Sequence, residues 1–170
     1  MKWLIVEQDY LEYLRENGDH RIPLSNYGND KYKPFFGSLF QSNDCYYVTQ
    51  VSHPQRKHYT LKDSSDFKRI FVPDSNKLLA VVNLNYMFPI PKELYKELDY
   101  REIDKYKDFK NDDDRNKYID LLNRELDEIN NMDLCHSSLI VYENKYNNPD
   151  SRLAQRSLNY RQLEKLALKY

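Results

Sequence analysis

The chain has 170 residues, a length at which a single domain can bury roughly 70% of the surface its unfolded form exposes, so a real core is attainable. Leu, Ile, Val and Phe make up about a quarter of it and the net charge is −1, outside the low-hydropathy, high-charge range of disordered chains. The longest apolar run, Leu78 to Val82, is far short of the ~20 residues of a membrane helix, and Trp3-Leu4-Ile5-Val6 stops at Glu7, so neither a span nor a signal peptide is expected. Cys45 and Cys135 lie far apart, with no Cys-x-x-Cys and no histidine at ligand spacing beyond the adjacent His136, which indicates neither a disulfide framework nor a zinc site. A reducing cytoplasm is the expected location. Gly18, Gly28 and Gly37 fall in no nucleotide-binding spacing, so no cofactor is expected.

In chain order, residues 3–6 read as a short buried strand, and Tyr10, Leu11, Tyr13 and Leu14 recur at helical spacing with Asp9 placed to cap. From Glu16 to Pro34 the periodicity breaks into a polar loop punctuated by Gly18, Pro23, Gly28 and Pro34 and carrying His20, Arg21, Lys31 and Lys33. Strand patterns follow at 35–41, 45–51, 68–72 and 77–84, with Asn43-Asp44 as a hairpin turn between the first two. Beyond Pro89-Ile90-Pro91 the character becomes helical. Tyr118, Leu121, Leu122, Glu125, Leu126 and Ile129 predict a helix of about five turns, preceded by Asp112-Asp113-Asp114 as cap and dipole partners. A weaker helix covers 134–146, Pro149 interrupts, and 158–168 closes the chain with Leu163, Leu166 and Ala167 facing inward. The pattern is that of one α+β domain over residues 1–170, an antiparallel sheet with flanking and C-terminal helices.

The densest chemical constellation is Ser52-His53-Pro54-Gln55-Arg56-Lys57-His58, which places a hydroxyl, two imidazoles and two cations directly after a strand. For a phosphodiester these are the required types: a group that moves protons near neutral pH, and fixed positive donors for the charge of a phosphorane-like transition state. A plain solvated turn is the competing account of the same residues. The loop residues Tyr27, Lys31, Tyr32 and Lys33 interleave rings with ammonium groups, as surfaces for unstacked bases and phosphates do, although Tyr, Lys and Asn abound throughout the chain. With a net charge of −1, nucleic-acid contact must come from such a local patch. Cys135 and His136 are neighbours in a predicted helix and point about 100° apart, which disfavours a catalytic pair.

In this order and spacing the pieces resemble the ToxN/AbiQ family of type III toxin–antitoxin endoribonucleases. The resemblance is carried by Tyr10-Leu11-Glu12-Tyr13-Leu14, Asp19-His20-Arg21-Ile22-Pro23, Lys33-Pro34-Phe35-Phe36-Gly37, the segment from Tyr47 to His58, Val82-Asn83-Leu84-Asn85-Tyr86-Met87-Phe88-Pro89-Ile90, and Asn159-Tyr160-Arg161-Gln162-Leu163-Glu164. It implies a strongly twisted antiparallel sheet similar to the Kid/MazF toxins. It also implies metal-independent RNA cleavage that leaves a 2′,3′-cyclic phosphate, with cellular or phage RNA as substrate and abortive phage infection as the outcome. The implied partner is an antitoxin RNA, processed from tandem repeats into pseudoknots, in a closed toxin–RNA assembly.

The family's usual turn, Thr or Ser, Ser, Pro, Lys, falls on Ser52, His53, Pro54 and Gln55. Gln55 carries no charge, so Arg56 or Lys57 must cover the lysine's role, and Gln55→Lys is expected to be tolerated. By the same resemblance Tyr10 and Lys33 lie near the active site, together with Tyr27 or Tyr32. The expected division of labour gives proton transfer to His53 or His58, orientation of the phosphate to Ser52 and Tyr10, and charge stabilisation to Lys33 with Arg56 or Lys57. A non-catalytic single-stranded RNA-binding module is the alternative reading, and a structural protein without RNA a third.

Overall fold

The computed structural model describes residues 1–25, 36–42 and 44–170, with Phe35 described by its backbone alone. Among these, β1 (Trp3–Ile5) leads into α1 (Gln8–Asn17), and the strands β2 (Phe35–Ser42), β3 (Cys45–Ser52), β4 (Phe67–Phe71), β5 (Leu78–Asn83), β6 (Phe88–Pro91) and β7 (Lys96–Glu97) follow. The carboxyl half is helical: α2 (Asp112–Asn130), α3 (Leu134–Asn147), the short α4 (Arg152–Arg156) and α5 (Tyr160–Ala167). All described pairings are antiparallel, in the order β4-β5-β3-β2-β1-β7, and β6 joins the sheet through β3. The expected α+β class is the one observed.

β1 is buried along its whole length because β2 and β7 flank both of its edges, and the Trp3 indole N–H donates to the Leu122 carbonyl of α2 at 3.0 Å. α1 buries Tyr10, Leu11 and Leu14, one stripe at helical spacing. Asp9 does not cap it. The cap position is Glu7, which contributes no side-chain hydrogen bond, while Asp9 sits in the first turn, where its charge faces the helix dipole. α1 ends at Gly18 because the chain passes close to α5: a Cβ there would lie 2.8 Å from the Leu14 carbonyl oxygen and 2.8 Å from Leu163 Cδ2. In α2 the cap is Asn111, whose side chain accepts from the Asp114 N–H at 2.9 Å, and the three aspartates occupy the first turn as dipole partners.

β6 was not expected, since its sequence Phe88-Pro89-Ile90-Pro91 reads as a breaker. Two prolines are tolerated because β3 is its one strand neighbour among the described residues, so half of its N–H groups have no ladder bond to make. The five-residue α4 was also unexpected; Ser151 caps it by accepting the Ala154 N–H at 3.1 Å.

The sheet divides along β3. Its first half, Cys45 to Val48, pairs with β6, whereas Val51 and Ser52 pair with β5 at Val82 and Val81. Between them, at Thr49 and Gln50, the neighbouring strand changes, because Leu84–Tyr86 form a 3₁₀ turn that carries the chain from β5 to β6. The carboxyl-terminal helices clamp that turn: the Leu158 N–H donates to the Asn85 carbonyl at 3.1 Å, and the buried Tyr160 hydroxyl donates to the same oxygen at 3.3 Å. Tyr47 and Tyr142 both donate to Glu164 of α5, at 2.9 and 3.1 Å, in a cluster of packed rings with Tyr160.

Candidate active site

A pocket of about 280 Å³ opens where β3 changes partners. Thr49, Gln50 and Ser52 come from β3, Asn83 and Tyr86 from the end of β5 and its following turn, and Arg15, Arg21, Ile22 and Pro23 from the end of α1 and the loop after it. That loop is held over the sheet by the Gln50 amide, which donates to the Leu24 carbonyl at 2.9 Å, and by Arg15, whose guanidinium donates to the Ile22 carbonyl. Buried Ile22 anchors it from beneath. A larger cleft of about 590 Å³ lies between the β4–β5 turn and the end of α2, but none of the described residues expected at the site, Ser52 included, lines it.

Two ion pairs stiffen one wall. Arg21 grips Asp19 through Nε and Nη2, with Nη2 2.7 Å from Oδ2, and its Nη1 donates to the Arg156 carbonyl at 2.8 Å. Arg156 in turn is paired through two nitrogens with buried Asp66. Burial alone would raise the Asp19 carboxyl pKa, but the hydrogen bonds and charge of Arg21 outweigh it and hold the group below the usual carboxylate range. Behind them Lys145 donates to the carbonyls of Ala154 and Ser157, at 2.7 and 3.1 Å, and its pKa is lowered by burial and by the nearby Arg21 charge.

β3 ends at Ser52 because His53 precedes Pro54, which has no N–H to continue a ladder. Ser52 is half-buried in the pocket wall, while His53 is exposed just beyond it. Residues Arg56–Tyr59 then form a 3₁₀ turn on which Arg56 and Lys57 face solvent, with no carboxylate partner among the described residues. The structure therefore brings Ser52 into the pocket and sets His53, Arg56 and Lys57 on the segment that leaves it.

Two expectations change. His58 is buried against the Phe67 ring, 5.7 Å between centroids, and its Nδ1 accepts the Gln55 N–H at 2.9 Å. The His58 N–H in turn donates to the Gln55 main-chain carbonyl at 2.8 Å, which closes the turn. His58 is thus a framework residue of this loop, held to the main chain of Gln55. Tyr10 is the second: its ring is fully buried and its hydroxyl donates to the Pro89 carbonyl at 2.7 Å, tying α1 to β6, with its pKa driven far up by burial. It does not face the pocket and cannot orient a phosphate there. Tyr27, Lys31, Tyr32 and Lys33 lie outside the described residues. Arg15, Arg21, Thr49, Gln50, Asn83 and Tyr86 were not anticipated; Asp19-His20-Arg21 was visible as a polar motif, but only folding sets Arg21 in the wall that Ser52 shares.

The fold and this pocket define an α+β protein whose basic, hydroxyl-bearing cleft lies where a central strand exchanges neighbours. The chain belongs to the ToxN toxin family of type III toxin–antitoxin systems, whose family model matches residues 2–168. It is similar to the endoribonuclease ToxN of Pectobacterium atrosepticum, at 27% identity over 61% of this chain and 69% of that protein. Among solved structures it resembles a chain from a type III system in which a non-coding RNA pseudoknot selectively inhibits the toxin, with a TM-score of 0.78 and 20% identity over 99% of this chain and 96% of the other. It also resembles AbiQ, a lactococcal anti-phage endoribonuclease, with a TM-score of 0.76 and 19% identity over 99% and 96% of the two chains. At these identities the structural likeness establishes the fold.

Proposed function

We propose that the chain is a metal-independent endoribonuclease toxin, silenced by a processed pseudoknot RNA and acting against phage by abortive infection. The observation that carries this reading is the family match over residues 2–168, joined to the Ser52 pocket and its neighbouring cations. The reaction is in-line attack of a ribose 2′-hydroxyl on its own 3′-phosphorus. The 2′-hydroxyl loses its proton, a 2′,3′-cyclic phosphate forms, and the departing 5′-oxygen is protonated. The enzyme has only to align the groups, move two protons and stabilise charge on the nonbridging oxygens.

In this scheme Ser52 donates a hydrogen bond to the phosphate from the pocket wall, His53 exchanges protons at its rim, and Arg56 and Lys57 hold the strand as it leaves the site. Lys33, Lys31, Tyr27 and Tyr32 remain the proposed contacts of the connecting loop with phosphates and bases. The Kid/MazF-like twist of the sheet and a cytoplasmic location belong to the same reading; among the described residues no helix is long and apolar enough to cross a membrane.

Two measurements test it. Expression without the antitoxin RNA arrests growth, and purified protein cleaves A-rich RNA in excess EDTA to give cyclic phosphate ends. Normal growth with abundant folded protein, or a binding protein that leaves RNA intact, supports the RNA-binding module instead. Cleavage that requires Mg²⁺ and leaves 5′-phosphates overturns the 2′-hydroxyl mechanism.

A further inference from the structure

The cations Arg56 and Lys57 stand on the turn beyond the pocket, not among the residues that line it; among the described residues the cations of the pocket itself are Arg15 and Arg21. We infer that Arg21, held in place by Asp19 and by the Arg156 carbonyl, is the fixed cation that grips the nonbridging oxygens of the RNA phosphate seated against Ser52. This rests on the endoribonuclease reading and assigns the site a residue that reading does not use.

Three features single Arg21 out. The first is restraint: Nε and one N–H of Nη2 are spent on Asp19 and one N–H of Nη1 on the Arg156 carbonyl, which leaves two of the five N–H groups unused among the described residues. Its side chain remains 32% exposed. A guanidinium locked on three sides with donors to spare has lost its rotamer freedom before the ligand arrives, so little more is lost on binding.

The second is local charge. Among the described residues Arg15, Arg21, Lys145 and Arg156 cluster here against the carboxylates of Asp19 and Asp66, an excess of positive charge on a chain whose net charge is −1. Arg15 spends a donor on a neutral carbonyl and has no carboxylate partner among the described residues. Asp19 therefore positions Arg21 without cancelling the pocket's potential.

The third is the company of neutral groups. Ser52, Thr49, Gln50 and Asn83 line the same pocket with hydroxyl and amide groups, and Tyr86, 36% exposed, adds a ring at its mouth. A guanidinium beside a hydroxyl suits a phosphodiester, and an exposed ring beside amides suits the base attached to it.

The test begins by mapping where the wild-type protein cuts an A-rich RNA. Single-turnover rates are then measured for wild type, Arg21→Ala, Arg21→Gln and Arg21→Lys. Loss of one preorganised charge donor is expected to slow Arg21→Ala about 10²–10³-fold, with partial recovery in Arg21→Lys, which keeps the charge but not the fork. The second readout is equilibrium binding of the same RNA made uncleavable by a single 2′-deoxy substitution at the cut site. For Arg21→Gln, which can still donate to Asp19, the slope of log K against log salt falls by about 0.7, one single-strand phosphate contact. A merely structural role leaves that slope unchanged. A folded Arg21→Gln with the wild-type slope overturns the inference even where wild type cleaves RNA, and so does a wild-type rate in Arg21→Ala. If Arg21→Ala fails to fold, the slope for Arg21→Gln decides. A wild-type protein that cuts no RNA overturns the endoribonuclease reading and this inference together.

Discussion

The two histidines after β3 provide a sharp contrast, because one is exposed beside the pocket and the other is built into the turn. His58→Ala removes the acceptor of the Gln55 N–H, a capping interaction worth about 0.5–2 kcal/mol. It also removes an imidazole that is only 7% exposed and packed on Phe67, for which lost burial contributes on the order of 1–2 kcal/mol at ~25 cal/mol per Å². The expected cost is about 1.5–4 kcal/mol, and at roughly 2–4 °C per kcal/mol for a domain of this size Tm falls by roughly 3–16 °C. His58→Asn supplies a side-chain oxygen to the same N–H and recovers part of the loss.

His53→Ala, at an exposed position, changes stability by no more than ~0.5 kcal/mol but slows cleavage about 10²–10⁴-fold if His53 moves the protons. Thermal denaturation and single-turnover cleavage of A-rich RNA, measured on the same preparations, separate the two effects. A His58→Asn variant with unaltered Tm and a rate as low as that of His53→Ala would falsify the framework role of His58. Wild-type rates in both His53→Ala and His53→Ser would transfer proton transfer to another group, Ser52 being the nearest candidate in the chain.

Tyr10→Phe is expected to lose about 1 kcal/mol of stability, since it abolishes the hydroxyl donation to the Pro89 carbonyl, and to cleave RNA at the wild-type rate; a large rate loss at constant Tm would return Tyr10 to the active site. Near pH 8 Cys135, exposed on α3, reacts readily with iodoacetamide, whereas Cys45, whose thiol pKa is pushed up to about 11 by burial and by Glu164, reacts only on unfolding; mass spectrometry showing equal modification of both in the folded protein contradicts this. The folded pKa of Asp19 lies below its unfolded value of ~3.9, so its pairing with Arg21 contributes stability in full above that value and loses it as the pH falls through the folded pKa. The Tm difference between wild type and Asp19→Asn is accordingly expected in full at neutral pH and to shrink as the pH falls below ~3.9; a difference that grows instead shows that the charge of Asp19 is not its source.

Local pattern alone determined a good part of this protein. The stripe Tyr10, Leu11, Leu14 in α1 and the rhythm from Tyr118 to Ile129 in α2 announced themselves because a helix repeats its buried face every three to four residues, whatever lies opposite. The hairpin of β2 and β3 was legible from two strand patterns with a polar pair between them. So was the cluster from Ser52 to His58, a contiguous run. β6 and the short α4 were not, because Pro89 and Pro91 are acceptable only on a strand with a single neighbour, and neighbours are decided by topology.

The division of roles within the cluster also required the tertiary structure. His53 and His58 are equivalent as residue types, but Phe67, on a different strand, decides which of them is buried. The pocket draws on α1 and its loop, on β3, and on the turn after β5, segments brought together by the exchange of β3 from β6 to β5 and by α5 pressing on the intervening turn. Arg21 gains its place there from Asp19, its near neighbour, and from the carbonyl of Arg156 at the far end of the chain. A hydrogen bond to a main-chain oxygen leaves no trace in side-chain identity, so contacts of this kind are settled by the fold.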